Sequence, residues 1–111
     1  MSKRAEIDGW RGEIDAIDDR IVDLIGLRAG YAIRIGRAKR RSGVPVRDRA
    51  RETEVLARLD ARARRKLEGR SVRRIFEKIM ELMRQIEEQD AKEHGKTGRP
   101  LARAARNGDK E

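Results

Sequence analysis

The stretch IDGWRGEIDAIDDRIVDLIGLRAGYAIRIGRA, residues 7–38, decides the fold because its apolar residues recur with heptad spacing. This spacing predicts one α-helix over residues 5–41, about 55 Å long at 1.5 Å per residue. A chain of 111 residues cannot cover a helix of that length by itself, so a partner must cover part of it. The apolar heptad positions are Ile7, Trp10, Ile14, Ile17, Ile21, Leu24, Tyr31, Ile35 and Ala38.

Two shorter helices are predicted after a turn. The segment 42–46 ends the first helix, because its glycine closes a helix and its proline cannot continue one. Asp48 is the predicted N-cap of a second helix over residues 49–66. Ser71 is the predicted N-cap of a third helix over residues 72–90. The inner faces are assigned to Val55, Leu56, Leu59 and Ala63 in the second helix and to Val72, Ile75, Ile79, Leu82 and Ile86 in the third.

The domain organisation follows from where this periodicity ends. Residues 1–91 are predicted to form an all-α domain of three helices, since no segment has the alternating pattern of a strand. Residues 92–111 are basic, contain three glycines and a proline, and have almost no large apolar residue. They are predicted to be a flexible C-terminal tail.

The composition excludes several classes of protein. Cysteine is absent, which excludes disulfide frameworks, thiol catalysis and cysteine-ligated zinc. A single histidine, His94, argues against a Ser-His-Asp hydrolase or a multi-histidine metal site, and no cofactor motif is present. No apolar run approaches the ~20 residues that span a bilayer, and the N-terminus lacks a signal-peptide stretch. We therefore expect a cytoplasmic protein with no membrane partner.

Charged residues at apolar heptad positions are the candidates for a functional site. Arg28 occupies the position shared by the isoleucines, and Lys39 lies on the same face, about 16 Å along the axis. A lone arginine there is more often ion-paired or extended toward solvent, but two cations on one face can hold a small anion. Arg11 stands at a position equivalent to Lys39 but about 42 Å away, so the two cannot share a site within one chain. In an antiparallel dimer, Arg11 of one copy approaches Arg28 and Lys39 of the other.

The second and third helices add further candidates whose interpretation the spacing leaves open. Met80, Met83 and Glu87 follow Phe76 along one edge of the third helix, which ends in a carboxyl. From spacing alone, a solvated Glu87 at the rim is the simpler interpretation. Asp48, Arg51 and Glu52 cluster within one turn, which an N-cap with surface ion pairs explains equally well. These clusters do not by themselves establish a site.

Four segments, read together, closely resemble the all-helical, type II class of chorismate mutases. The I-D-x-I-D opening, the I-G-x-x-K end of the first helix and the P-V-x-D-x-x-R-E entry to the second occur in order, and the resemblance covers about residues 7–90. It implies an intertwined helical homodimer with two active sites. The segments are WRGEIDAIDDRI (10–21), RAGYAIRIGRAK (28–39), GVPVRDRARE (43–52) and IFEKIMELMRQIE (75–87).

The resemblance also implies a role for each candidate. Arg28, and Arg11 donated by the partner chain, match arginines that bind substrate carboxylates, and Lys39 matches the lysine that contacts the ether oxygen. Two positions depart from the best-known members, which have serine where this chain has Met83 and glutamine where it has Glu87. The implied catalytic residues are Lys39 and Glu87, and the implied substrate-binding residues are Arg11, Arg28, Ile35, Asp48, Arg51, Glu52, Met80 and Met83, with Asp48 and Glu52 at the ring hydroxyl.

The function that the resemblance implies is the rearrangement of chorismate to prephenate in phenylalanine and tyrosine biosynthesis, without a metal or cofactor. Two alternatives on the same fold are a mutase for 4-amino-4-deoxychorismate, whose ammonium would pair with Glu52, and an isochorismate pyruvate-lyase. A different class is a basic helical protein that binds nucleic acid, suggested by the net charge of +9. Nucleic acid is disfavoured, because the basic residues are scattered among acids and aromatic residues for stacking are nearly absent.

Overall fold

The computed structural model describes residues 2–64, 67 and 69–94, and within them the chain forms three helices and no strand. Helix α1 spans Lys3–Ser42, α2 spans Arg49–Ala63 and α3 spans Gly69–His94. The predicted all-α fold is confirmed, and the predicted helices agree with the observed ones to within a few residues at each end. No helix in these ranges combines the length and apolarity that crossing a membrane requires.

The connection that follows α1 begins with a turn that folds back on the last turn of that helix. Gly43 adopts the left-handed conformation, with φ of 73°, and its N–H donates to the carbonyl of Arg40 at 3.4 Å. The next N–H, of Val44, donates to the carbonyl of Lys39 at 3.0 Å. This pattern satisfies carbonyls that the helix end leaves unpaired, and only glycine adopts such a φ without steric cost. The last turn of α1 therefore lies beside the segment that leads into α2.

The start of α2 is as predicted, whereas the start of α3 is not. The carboxylate of Asp48 accepts the N–H of Arg51 at 2.9 Å, which makes Asp48 the N-cap of α2. Because α3 begins at Gly69, Ser71 lies inside this helix, and the prediction that it caps α3 is wrong. Residues 92–94, assigned to the tail, continue α3, and the rest of the predicted tail lies outside the described residues.

The core lies between α3 and the two helices on which it packs. Val55, Leu56 and Met80 form its buried centre, and Leu59 and Phe76 pack against them. The inner-face assignment of α2 is therefore confirmed.

The inner face assigned to α3 is partly wrong. Val72 is buried, but Ile75 is 55% exposed and Leu82 is 40% exposed, whereas Met80 and Met83 are buried. Apolar residues lie around more of the circumference of α3 than α1 and α2 bury. Periodicity alone therefore does not identify the inner side.

The N-terminal half of α1 lacks cover from its own chain. Within α1 the buried residues are Gly30, Ala32, Ile33 and Gly36, all in the C-terminal half. Trp10 is 63% exposed, and Ile14, Ile17 and Ile21 are about half exposed. The longest dimension of the molecule, 60 Å, is the length expected of a 40-residue helix. Cover of this row by a second copy stays a prediction.

One buried carboxylate joins the C-terminal ends of α1 and α3. Asp90 is only 4% exposed and accepts hydrogen bonds from Nε and Nη2 of Arg37 at 2.9 and 2.7 Å. Nη2 of Arg40 donates to the same carboxylate at 3.2 Å, and Nδ1 of His94 lies 3.2 Å from it. Hydrogen bonds from Arg37, followed by its charge and the bonds from Arg40 and His94, lower the pKa of Asp90 despite its burial.

We predict that Asp90→Asn lowers the free energy of unfolding by about 3 kcal/mol, because it leaves two partly buried guanidinium groups without their counter-charge. A group whose pKa is lowered by folding stabilises the protein above its unfolded pKa and loses that effect as pH falls through the folded value. The difference between wild type and variant should therefore shrink below about pH 4. Urea unfolding at fixed protein concentration measures it.

Glu88→Gln is the matched control, since this carboxyl on the same helix is exposed. It should change stability by no more than about 0.5 kcal/mol. Equal effects of the two substitutions would contradict a structural role for the Asp90 carboxylate.

Candidate active site

A cleft of about 310 Å³ opens where the C-terminal half of α1, the start of α2 and the middle of α3 meet. Nine of the ten site residues predicted from the sequence line this cleft. They are Arg28, Ile35, Lys39, Asp48, Arg51, Glu52, Met80, Met83 and Glu87. Residues far apart in the chain are thus brought together by the packing of α3 on α1 and α2.

Arg11 is the predicted site residue that does not line the cleft. Its side chain is 74% exposed, and Nη1 lies 4.0 Å from the carboxylate of Asp8 on the same helix face. Along α1 it precedes Arg28 by about 25 Å, which exceeds the reach of an arginine side chain. A role for Arg11 in this cleft would therefore require a second copy of the chain.

The cleft is strongly cationic. Five basic and three acidic side chains line it, so an anion with two charges is the complementary ligand. Burial, followed by the positive charge of Arg51, lowers the pKa of Arg28, and Glu87 opposes this, but a guanidinium stays protonated in proteins. Nζ of Lys39 donates to the carbonyl of Val46 at 3.1 Å, which fixes the ammonium at the cleft edge. No group of three His, Asp or Glu side chains in the described residues could hold a metal ion.

Glu87 lies against α1 where that helix has no side chain. A Cβ placed on Gly36 would lie 3.4 Å from Cγ of Glu87, so the glycine allows this carboxyl to lie close to the α1 backbone. Burial raises the pKa of Glu87, and the positive charges of Lys39, Arg40, Arg84 and Arg28 act against that rise without cancelling it. The side chain is half-buried against α1, which favours a place in the site over the solvated-rim interpretation that spacing favours. A raised pKa increases the fraction of Glu87 that carries a proton.

Three charged residues at the start of α2, Asp48, Arg51 and Glu52, all have partners within the chain. The Asp48 carboxylate caps α2, and Arg51 pairs with Glu54 at 2.8 Å near the surface. These contacts agree with an N-cap and surface ion pairs, one of the two interpretations left open by the sequence. Glu52 is different, because two arginines bind it from separate parts of the chain.

Sequence reasoning missed Arg47 and Arg84, which both line the cleft and bind Glu52. Arg84 lies four residues after Met80 and three before Glu87, a spacing that puts all three on one helix face and could have identified it. Arg47 lies in the non-helical connection between α1 and α2, where no periodicity indicates which side chains point toward the cleft. The structure therefore adds two guanidinium groups to the candidate site.

Comparison with known proteins identifies the family. A family model described as chorismate mutase type II matches residues 10–88, which is more than two thirds of the chain. No curated protein and no solved structure gives a significant match. The matched range contains α1 from Trp10 onward, all of α2 and α3 up to Glu88, and it includes every predicted site residue. The chain therefore belongs to the type II chorismate mutase family, whose members are isomerase-type enzymes.

Proposed function

We propose that the protein is a chorismate mutase that rearranges chorismate to prephenate in phenylalanine and tyrosine biosynthesis. The observation that carries the proposal is the convergence, on one cationic cleft of about 310 Å³, of nine residues at the positions that the resemblance assigns to the site. The substrate is a dicarboxylate, which suits the excess of basic side chains. The cytoplasmic location expected from the sequence is part of this proposal.

Substrate binding would depend mainly on guanidinium groups. Arg28 lines the cleft and is itself partly buried, which gives a carboxylate a cationic partner in a partly dehydrated setting. A guanidinium presents a planar fork of donors that matches a carboxylate, so Arg28 would fix the orientation of one carboxylate. Arg11 of a second copy would bind the other. Two such contacts hold the substrate in the folded conformation that the reaction requires.

The reaction breaks the C–O bond of the enolpyruvyl ether while a C–C bond forms, so no nucleophile is needed. Negative charge develops on the ether oxygen as this bond lengthens. Lys39 donates to the Val46 carbonyl with one N–H and has two further donors, which would stabilise that charge. Protonated Glu87 would donate a second hydrogen bond to the same oxygen. The ionised form would repel the developing charge, so the raised pKa of Glu87 favours the productive state.

Self-association would complete both the fold and the site. The exposed apolar row of α1 from Ile7 to Leu24 requires cover, and Arg11 lies within this part of the helix. An antiparallel pair of α1 helices would cover the row and carry each Arg11 to the other copy's cleft. A closed pair of this kind has two equal sites, each built from both chains.

Activity with purified protein is the direct test of the proposal. Chorismate absorbance should fall in the presence of the protein, with prephenate as the sole product, and DNA mobility should not shift at moderate salt. Release of pyruvate would instead indicate a lyase. A DNA shift without chorismate consumption would favour the nucleic-acid alternative.

Mixing two inactive variants tests whether the site is shared. Arg11→Ala and Lys39→Ala should each be nearly inactive, yet re-equilibrated mixtures should regain about a quarter of wild-type activity per chain. Half of the dimers are then mixed, and each mixed dimer has one site that retains both residues. The recovered rate of prephenate formation measures this.

Lys39→Ala mixed with Arg28→Ala is the matched control, because both residues belong to the cleft of the same chain. Every site in that mixed dimer lacks one residue, so no activity should return. Chain exchange is verified with a tag that increases the mass of one of the two chains. If mixed dimers then form in the first mixture but activity does not return, the shared site is contradicted.

The pH dependence tests the protonated form of Glu87. Wild-type kcat/KM should fall about tenfold per pH unit once pH rises above the raised pKa of this carboxyl. Glu87→Gln carries a neutral amide donor, so it should keep its activity at low pH and lose the alkaline decline. Glu88→Gln, a change at the adjacent exposed carboxyl, should retain the wild-type profile. Identical profiles for wild type and Glu87→Gln between about pH 5 and 9 would rule out Glu87 as the ether-oxygen donor.

A further inference from the structure

Glu52 is bound from two sides by arginines that the family resemblance did not assign. Arg47 donates from Nε to Oε2 at 3.0 Å and from Nη2 to Oε1 at 2.9 Å. Arg84 donates from Nη1 to Oε2 at 2.9 Å. Arg47 lies in the connection after α1, and Arg84 lies on α3, so the contacts tie three parts of the chain together. We call these three residues the Glu52 clamp.

The clamp leaves Glu52 little capacity for a further partner. A carboxylate offers about four lone-pair sites, and guanidinium N–H groups occupy three of them. The remaining site can accept one donor, which suits a hydroxyl with its single O–H. An ammonium has three N–H donors, and most of them would lack partners here.

The charge of the clamp also favours a hydroxyl over an ammonium. One carboxylate between two guanidinium groups leaves a net positive charge beside the cleft. The hydrogen bonds from Arg47, and after them the charges of both arginines, lower the pKa of Glu52, so it stays ionised and its charge is fully matched. The side chain is 21% exposed, so water screens these charges only in part. An ammonium at this place would meet repulsion, whereas a neutral hydroxyl would not.

Neither of the other two acids of the cleft hydrogen-bonds to Arg47 or Arg84 of the clamp. Asp48 uses a carboxylate oxygen to cap α2, and it follows Arg47 directly in the chain. Glu87 has a raised pKa and faces Lys39, Arg40, Arg84 and Arg28. Asp48 therefore caps a helix, Glu52 is bound by two arginines, and Glu87 has a raised pKa.

We propose that Arg84 is a specificity-determining positioning residue, which acts through Glu52 to make the cleft accept a ring hydroxyl and reject an ammonium. The inference rests on the proposed mutase function and deepens it, because it selects chorismate over 4-amino-4-deoxychorismate. These compounds differ only in carrying a hydroxyl or an ammonium at one ring carbon. The contacts of Arg47 keep Glu52 oriented when Arg84 is removed, so its own effect can be separated from loss of the acceptor.

The test compares kcat/KM for both compounds in wild type, Arg84→Met and Arg84→Lys. Methionine keeps much of the length of arginine and removes the charge, so the preference for chorismate should fall at least about tenfold. Lysine keeps the charge and should retain most of the preference. Both compounds carry the same ether oxygen, so any change at Glu87 cancels in the ratio. Lys78→Met, at an exposed lysine paired with Glu81 on α3, should leave the ratio at the wild-type value.

Two results overturn the inference while the mutase function stands. One is a wild type that rearranges the amino compound as well as chorismate, and the other is an unchanged ratio in folded Arg84→Met. If that variant does not fold, Arg84→Gln provides the same comparison, with folding verified by circular dichroism. A wild type that rearranges neither compound overturns the proposed function, and the inference with it.

Discussion

The cleft depends on the ion pair network that holds the C-terminal ends of α1 and α3 side by side. The buried carboxylate of Asp90 pairs with two arginines of α1. Breaking a buried ion pair costs far more free energy than breaking one at the surface. One turn earlier on α3, Glu87 packs against Gly36 of α1. The network therefore fixes the distance between the helices at the place where Lys39 and Glu87 approach each other. A change in this spacing would alter the cleft before it altered the rest of the core.

The five basic side chains that line the cleft would repel one another if no acids lay among them. Three acids also line the cleft, and their local surroundings differ. Asp48 is used by a helix end, Glu52 is held between guanidinium groups, and Glu87 is half-buried with a raised pKa. Burial raises the pKa of Glu87, and among these acids it is the one proposed as a hydrogen-bond donor. Burial and charge thus separate the roles of residues that look alike in the sequence.

The sequence predicted the parts of this molecule that periodicity controls. Three helices and the places of Arg28 and Lys39 on one face of α1 follow from repeated spacing, and the Asp48 cap follows from the preference of aspartate for helix starts. The family resemblance, not the spacing, selected Glu52 and Glu87 as site residues, and the structure brings both into the cleft.

The errors have physical causes. The preference of serine for N-caps predicts that Ser71 caps α3, but capping residues also occur inside helices, and this helix begins at Gly69. The inner face of α3 was misplaced toward Ile75 because spacing identifies apolar residues without identifying what covers them. Spacing does not identify Arg47, because the connection between α1 and α2 has no repeating pattern of apolar residues. The exposed apolar row of α1 has a related cause. The sequence shows that this row needs a partner, but it does not show which chain provides it.

The middle of α3 illustrates how one helix face can supply an apolar wall, a cation and an acid to the same cleft. Met80, Arg84 and Glu87 are spaced by four and three residues, so they lie above one another on that face. Met83 is only 3% exposed and brings no hydrogen-bond donor, whereas its neighbour Arg84 places a guanidinium against Glu52. Replacement of a polar residue by methionine at one position therefore need not make this wall apolar, because the next residue restores charge to it. The polarity of the cleft is a property of the whole face rather than of any single aligned position.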